Sequence, residues 1–163
     1  MSTSKDLSAQ QVRKKRLHVV TNTHWDREHR HGFQETRFKL VEAVDKLIEI
    51  MEADAEFKYF TFDGQSVMLE DYLEIKPFMK ERLKSLIKDG RILVGPWYTL
   101  PDMPPLTGEC IVRNLLTGDR YCRQFGAKMN FGYSIFSFGQ IAQLPQIYKG
   151  FGIDEMIVYK GYS

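Results

Sequence analysis

The chain reads as an α/β protein, a parallel sheet with flanking helices. Three observations predict this class. Short runs of β-branched and aromatic residues alternate with longer stretches whose apolar positions recur every three or four residues. Glycine or proline punctuates several of the junctions. The chemically distinctive segments follow the strands rather than the helices. Strands that alternate with helices imply right-handed crossovers and parallel pairing.

Residues 1–16 form a polar tail, and residues 17–163 are read as one α/β domain. Leu17–Asn22 is apolar enough for a buried strand. A long amphipathic helix follows over Gln34–Ala53, with Phe38, Val41, Val44, Leu47, Ile48 and Met51 at three- and four-residue steps. Lys58–Asp63 is a second strand, alternating and aromatic-rich. A helix over Ser66–Glu74 comes next. Pro77 opens another helix, which ends near Asp89 with Gly90 as its stop. Arg91–Val94 is a short third strand that runs into Gly95-Pro96-Trp97-Tyr98. Leu100–Thr107 carries three prolines and is irregular. A helix over Glu109–Phe125 stops at Gly126. Asn130–Ser134, Ala142–Lys149 and Glu155–Tyr159 complete the pattern as strand, helix and strand.

The totals exclude several classes. A length of 163 residues suits one domain, and 43% apolar residues suits a buried core. A net charge of +2 argues against a dedicated nucleic-acid surface. The one basic run, Arg13-Lys14-Lys15-Arg16, reads as a solvated tail, with a nucleic-acid arm as the minor alternative. No run of 18 apolar residues is present, so no membrane span is expected. The polar N-terminus lacks the apolar core of a secretory signal. Cys110 and Cys122 lie about 18 Å apart on one helix, too far to pair. Unpaired thiols and no signal point to a cytoplasmic setting.

Ligands of parallel α/β sheets bind at the carboxyl ends of the strands. Here those ends carry His24-Trp25-Asp26-Arg27-Glu28, Asp63-Gly64-Gln65, Trp97-Tyr98, Ser137-Phe138-Gly139-Gln140 and Lys160. His24 and Asp26 sit two residues apart, so in an extended chain their side chains point the same way. An imidazole and a carboxylate are zinc-ligand types. The plainer alternative is a strand-end pair bonded to backbone. Asp63-Gly64 is also a common turn former, and Gln65 a candidate helix cap. Trp97-Tyr98 is either a stacking platform for a sugar ring or a core plug. His29 and His31 could add metal ligands or simply face solvent, and Asp102 in its proline-rich loop and Lys160 could equally be solvated side chains. No Walker loop, dinucleotide-binding glycine motif or nucleophile elbow is present.

Taken together these segments resemble the retaining α-mannosidases of glycoside hydrolase family 38, in particular their bacterial branch. The likeness begins at His24-Trp25-Asp26-Arg27-Glu28 and continues through Phe62-Asp63-Gly64-Gln65 and Leu69-Glu70-Asp71-Tyr72. It extends through Gly95-Pro96-Trp97-Tyr98, Ile111-Val112-Arg113-Asn114-Leu115, Ser137-Phe138-Gly139-Gln140 and Gln143 to Ile153. The resemblance implies that this chain is the N-terminal portion of a seven-stranded, barrel-like domain. It also implies a zinc ion held by the first motif's His and Asp, by a nucleophilic Asp and by a later His. A second carboxylic acid protonates the leaving oxygen in retaining hydrolysis.

Carried over by position, His24 and Asp26 match the first two zinc ligands. The nucleophile's position holds Phe136, which has no lone pair to attack with or to bind metal. Phe138 matches a phenylalanine lining the sugar site. Trp97, Phe138, Lys160 and His29 are thus the expected substrate-binding positions. His29 replaces a stacking tryptophan, and Lys160 replaces an arginine, keeping the charge but losing its bidentate fork. Family enzymes are several times longer, so the late zinc His and the general acid are expected beyond Ser163. The expectation is therefore an α-mannosidase-like hydrolase domain, inactive alone, with zinc weak or absent. Its substrate class is an α-mannoside or mannose-containing glycan. The alternatives are a non-catalytic sugar- or metal-binding remnant, or a piece that completes another polypeptide or pairs as a homo-oligomer.

Overall fold

The structure, a computed structural model, describes residues 15–134 and 139–158. Its elements are strand β1 (Asn22–Thr23), helix α1 (Phe33–Ala53), β2 (Phe60–Phe62), α2 (Val67–Ile75), a 3-10 turn (Pro77–Met79) and α3 (Lys80–Lys88). These are followed by β3 (Ile92–Leu93), α4 (Gly108–Arg123), β4 (Gly132–Ser134), α5 (Leu144–Gly150) and β5 (Met156–Val158). The predicted alternation is present, and every described strand pair is parallel.

The strands form two small sheets. One has the order β1-β2-β3, in register Asn22 to Thr61 and Phe60 to Ile92; the other pairs β4 with β5, Gly132 opposite Met156. The two are stitched together. The Met129 N–H donates to the Val94 carbonyl at 2.7 Å, and the Trp97 indole N–H donates to the Tyr133 carbonyl at 2.8 Å.

The first strand is where expectation and structure part. Leu17–Asn22 was expected to be a buried strand, yet pairing begins only at Thr21, whose carbonyl accepts the Thr61 N–H at 3.0 Å. Leu17, Val19 and Val20 are 85%, 78% and 68% exposed. β1 has β2 on one side and no described strand on the other, and among the described residues nothing covers this apolar run.

Two apolar clusters hold the domain. Leu40, Val44, Leu47, Ile48 and Met51 of α1 pack with Met68, Leu69, Leu83 and Ile87 over Phe62, Ile92 and Val94. Of the α1 positions named from periodicity, Phe38 is on the solvent side instead, 64% exposed, while Leu40 is buried. Val44, Leu47, Ile48 and Met51 are buried as read, so the face itself is unchanged; Phe38 lies two residues from Leu40, about 200° around the helix, and therefore falls on the opposite side. The second cluster joins Trp97, Met103, Ile111, Leu115, Leu144, Tyr148 and Ile153.

Helix α4 clamps the segment after β3. Thr107 caps it, its hydroxyl accepting the Cys110 N–H at 3.3 Å. Asn114 accepts the N–H groups of Tyr98 and Thr99 at 3.0 Å each and donates to the Thr99 carbonyl at 2.7 Å. Gly118 permits the approach: a Cβ there would lie 2.3 Å from the Pro96 carbonyl oxygen. Among the described residues no helix is long and apolar enough to cross a membrane, and both Cys110 and Cys122 are unpaired.

Candidate functional site

The ends of β1 and β2 meet, as the strand-end argument requires. His24 follows β1 and Asp63 follows β2, and His24 Nδ1 lies 2.8 Å from Asp63 Oδ2. His24 Nε2 lies 3.2 Å from Asp26 Oδ1. The imidazole thus stands between two carboxylates. The outer one, Asp26, is half exposed, and the inner one, Asp63, is fully buried.

Asp63 is the hub of this arrangement. Its Oδ2 also accepts the Trp25 N–H at 2.9 Å and a Gln65 amide N–H at 3.1 Å, while Oδ1 accepts the Tyr133 hydroxyl at 3.3 Å. Burial pushes the Asp63 carboxyl above its usual range, with the Trp25 N–H, His24 and Gln65 pulling the other way. Its backbone is left-handed, φ 40°, a conformation that aspartate tolerates better than most residues. The neighbouring Gly64 is also left-handed, φ 67°, and a Cβ there would fall 2.3 Å from the Tyr133 ring. The Asp-Gly pair therefore makes the turn and also brings a carboxylate under His24. Gln65 is not a helix cap. Its amide donates to the Trp25 carbonyl at 2.8 Å and its oxygen accepts the Leu100 N–H at 3.3 Å.

A second layer of charge supports the loop after β1. Arg27 forks onto Asp71 of α2, and the Arg27 and Arg37 guanidiniums lie 4.8 Å and 5.1 Å from the Phe33 ring centroid. The Tyr98 hydroxyl donates to Glu70 at 2.9 Å; burial and that carboxylate push it up to about 12.

His24 and Asp26 pass a simple test as a metal bite. Zinc bonds of about 2.0–2.2 Å at a tetrahedral angle set two donors about 3.4 Å apart. The observed separation is 3.2 Å. Among the described residues, however, no group of three or more His, Cys, Asp or Glu side chains is arranged to hold a metal. The pair has the right donor types and spacing for one side of a zinc site, but is short of the four ligands of a tight one.

Of the expected sugar-contacting positions, Trp97 is placed in the core. It is fully buried beside Tyr148, ring centroids 5.7 Å apart, so the core-plug alternative describes it. An indole with no exposed face cannot stack on a sugar. His29 is exposed in the loop after β1. Phe136, Phe138 and Lys160 lie outside the described residues. Sequence reasoning missed Tyr133; it placed Asp63 on the strand-end rim with a turn as the alternative, and gave it no specific role. The signal available for Asp63 was its position directly after a strand that pairs beside β1.

A parallel α/β unit with imidazole and carboxylates gathered at its strand ends is the architecture of a ligand-binding or catalytic domain. The Glycosyl hydrolases family 38 N-terminal domain matches residues 14–162. The chain belongs to that family. It is 39% identical over 151 residues to a protein of Halalkalibacterium halodurans provisionally named mannosylglycerate hydrolase, a match covering 92% of this chain and 17% of that one. Alpha-mannosidase G of Dictyostelium discoideum is 28% identical, covering 89% of this chain and 13% of that protein. The crystal structure of an alpha-mannosidase from Enterococcus faecalis V583 superposes with a TM-score of 0.82 at 34% identity, covering 85% of this chain and 16% of that one. The chain thus spans about a sixth of the length of these relatives.

Proposed function

We infer that this domain supplies the metal-holding strand ends of an α-mannosidase-like hydrolase that acts on mannose-containing substrates. The observation that carries this reading is the 3.2 Å bite of His24 and Asp26, in a chain matched by the family 38 domain. The name of the Halalkalibacterium relative supports a small mannosyl substrate such as mannosylglycerate. His24 and Asp26 are the residues that would hold zinc. When bound, zinc supplies positive charge for a sugar hydroxyl and polarises it. Asp63 and Gln65 fix the loop that carries the pair, and Arg27 anchors it to α2.

Retaining hydrolysis needs a carboxylate nucleophile and a carboxylic acid. The family's nucleophile position holds Phe136 here, and losing the nucleophile alone costs several orders of magnitude in rate. The polypeptide by itself is therefore expected to release no p-nitrophenol from its α-mannoside and no mannose from mannosylglycerate. Zinc-dependent release that scales with the protein and vanishes in His24→Ala would overturn this.

Among the described residues the apolar run Leu17, Val19 and Val20 is exposed and one edge of β1 has no strand partner, which favours a second reading, a piece that pairs with another polypeptide or another copy. Sedimentation of the purified chain tests it: a concentration-dependent assembly broken by Val19→Lys supports that reading. A monomer at every concentration removes the homo-oligomer.

A further inference from the structure

We propose that Gln65 is a positioning residue that couples two loops of the strand-end rim. Its buried side-chain amide ties the loop after β1, which carries His24 and Asp26, to the loop after β3, so that the two hold one geometry. The inference rests on the metal-holding reading above and deepens it by bringing the loop after β3 into the frame of the site.

The side chain works from a fixed base. The Gly64 carbonyl accepts the Trp97 N–H at 3.1 Å, and the Ser66 N–H donates to the Trp97 carbonyl at 2.9 Å, so backbone bonds on either side hold residue 65 whatever its side chain. Gln65 is 4% exposed. Its Nε2 donates to the Trp25 carbonyl at 2.8 Å and to Asp63 Oδ2 at 3.1 Å, and its Oε1 accepts the Leu100 N–H at 3.3 Å. The nitrogen faces two acceptors and the oxygen faces a donor, so the network admits one orientation of the amide. Trp25 lies between His24 and Asp26, and two peptide groups join that pair. The first is held through the Trp25 N–H by Asp63 at 2.9 Å, the second through the Trp25 carbonyl by Gln65. On the other side, Leu100 is followed by Pro101 and Met103, both buried, so its anchored N–H sets where the proline-rich segment leaves the rim. A displacement of either loop is therefore felt by the other through one amide.

Hydrogen exchange of assigned amides in the metal-free chain tests the coupling. In the wild type the Gln65 carboxamide protons are expected to exchange more slowly than those of exposed Gln34; equal rates overturn the proposal without any variant. Gln65→Met keeps the length of the side chain and removes all three bonds. It is expected to speed exchange about tenfold at Leu100, which loses its acceptor, and at Trp25, whose N–H bonds Asp63 and not Gln65. The Ser66 N–H, bonded to the Trp97 carbonyl beside the substituted residue, is expected to keep its rate. Faster exchange at Leu100 alone contradicts the coupling. Equal acceleration at all three amides makes Gln65 a general stabiliser and contradicts it too. Zinc affinity of the same variant is expected to fall about tenfold; wild-type affinity in Gln65→Met would show that the coupling does not reach His24 and Asp26. If Trp25 and Leu100 respond together and the wild-type chain takes up no zinc, Gln65 keeps its role and the metal-holding reading fails. If the wild-type chain binds zinc and the variant leaves both amides as they were, the inference fails and that reading stands.

Discussion

Arg27 grips Asp71 through two parallel hydrogen bonds, Nε to Oδ2 at 2.8 Å and Nη2 to Oδ1 at 2.9 Å. One residue lies just after the His24–Asp26 pair and the other on α2, so the fork ties the site loop to the main core. The Asp71 side chain is 5% exposed and that of Arg27 36%. Arg27→Leu leaves a buried carboxylate without its partner. Because Arg27 is partly solvated, the expected loss of stability is about 1–3 kcal/mol. Urea unfolding monitored by circular dichroism measures it; a loss within about 0.5 kcal/mol would show the fork to be incidental.

Gly118 and Gly108 lie on the same helix and differ in surroundings. A Cβ at Gly118 collides with backbone of Pro96, Trp97 and Tyr98, whereas nothing lies within 4 Å of one at Gly108. Gly118→Ala is expected to cost about 1–3 kcal/mol through overpacking. Gly108→Ala is expected to be neutral or slightly stabilising, since it restricts the unfolded chain. Thermal denaturation of the two variants side by side gives the comparison, and equal melting temperatures would contradict the close crossing of α4.

Asp119 shapes the response to acid. Burial raises its carboxyl, but Arg123 at 2.7 Å and Lys128 at 2.7 Å outweigh it and hold the group below its ordinary value of 3.8. A carboxyl depressed in the folded state stabilises at pH above its unfolded value and loses that contribution as pH falls through the folded one. Asp119→Asn is thus expected to lower stability at neutral pH by about 1 kcal/mol and to make the acid limb shallower below pH about 4. Stability measured from pH 3 to 7, about the span over which such a group titrates, reads both effects. A variant that parallels the wild type at all pH values would contradict the pairing.

The helices were legible because their apolar stripes are long: α1 was expected over Gln34–Ala53 and runs Phe33–Ala53. The strand ends were legible because parallel α/β folds place their polar clusters there, and His24 and Asp63 do meet. Other features depend on distant partners and were not legible. Leu17–Val20 is apolar enough for a buried strand, but burial needs a neighbour that local pattern cannot supply. Trp97 after Gly95-Pro96 suits a platform or a plug equally until Tyr148 and Tyr133 are known to surround it. Asp63 had a sufficient local explanation as a turn former, which hid its contacts to Tyr133, 70 residues away, and to His24, 39 residues away.

The central claim is that His24 and Asp26 form one side of a zinc site. Zinc titration by competition with a chromophoric chelator tests it most directly, on the wild-type chain and on His24→Ala, Asp26→Ala and His29→Ala. The account predicts uptake of one zinc, weaker than at four-ligand sites, reduced by about tenfold or more in the first two variants and unchanged in His29→Ala. Equal zinc affinity in all four proteins, or a loss confined to His29→Ala, would contradict it.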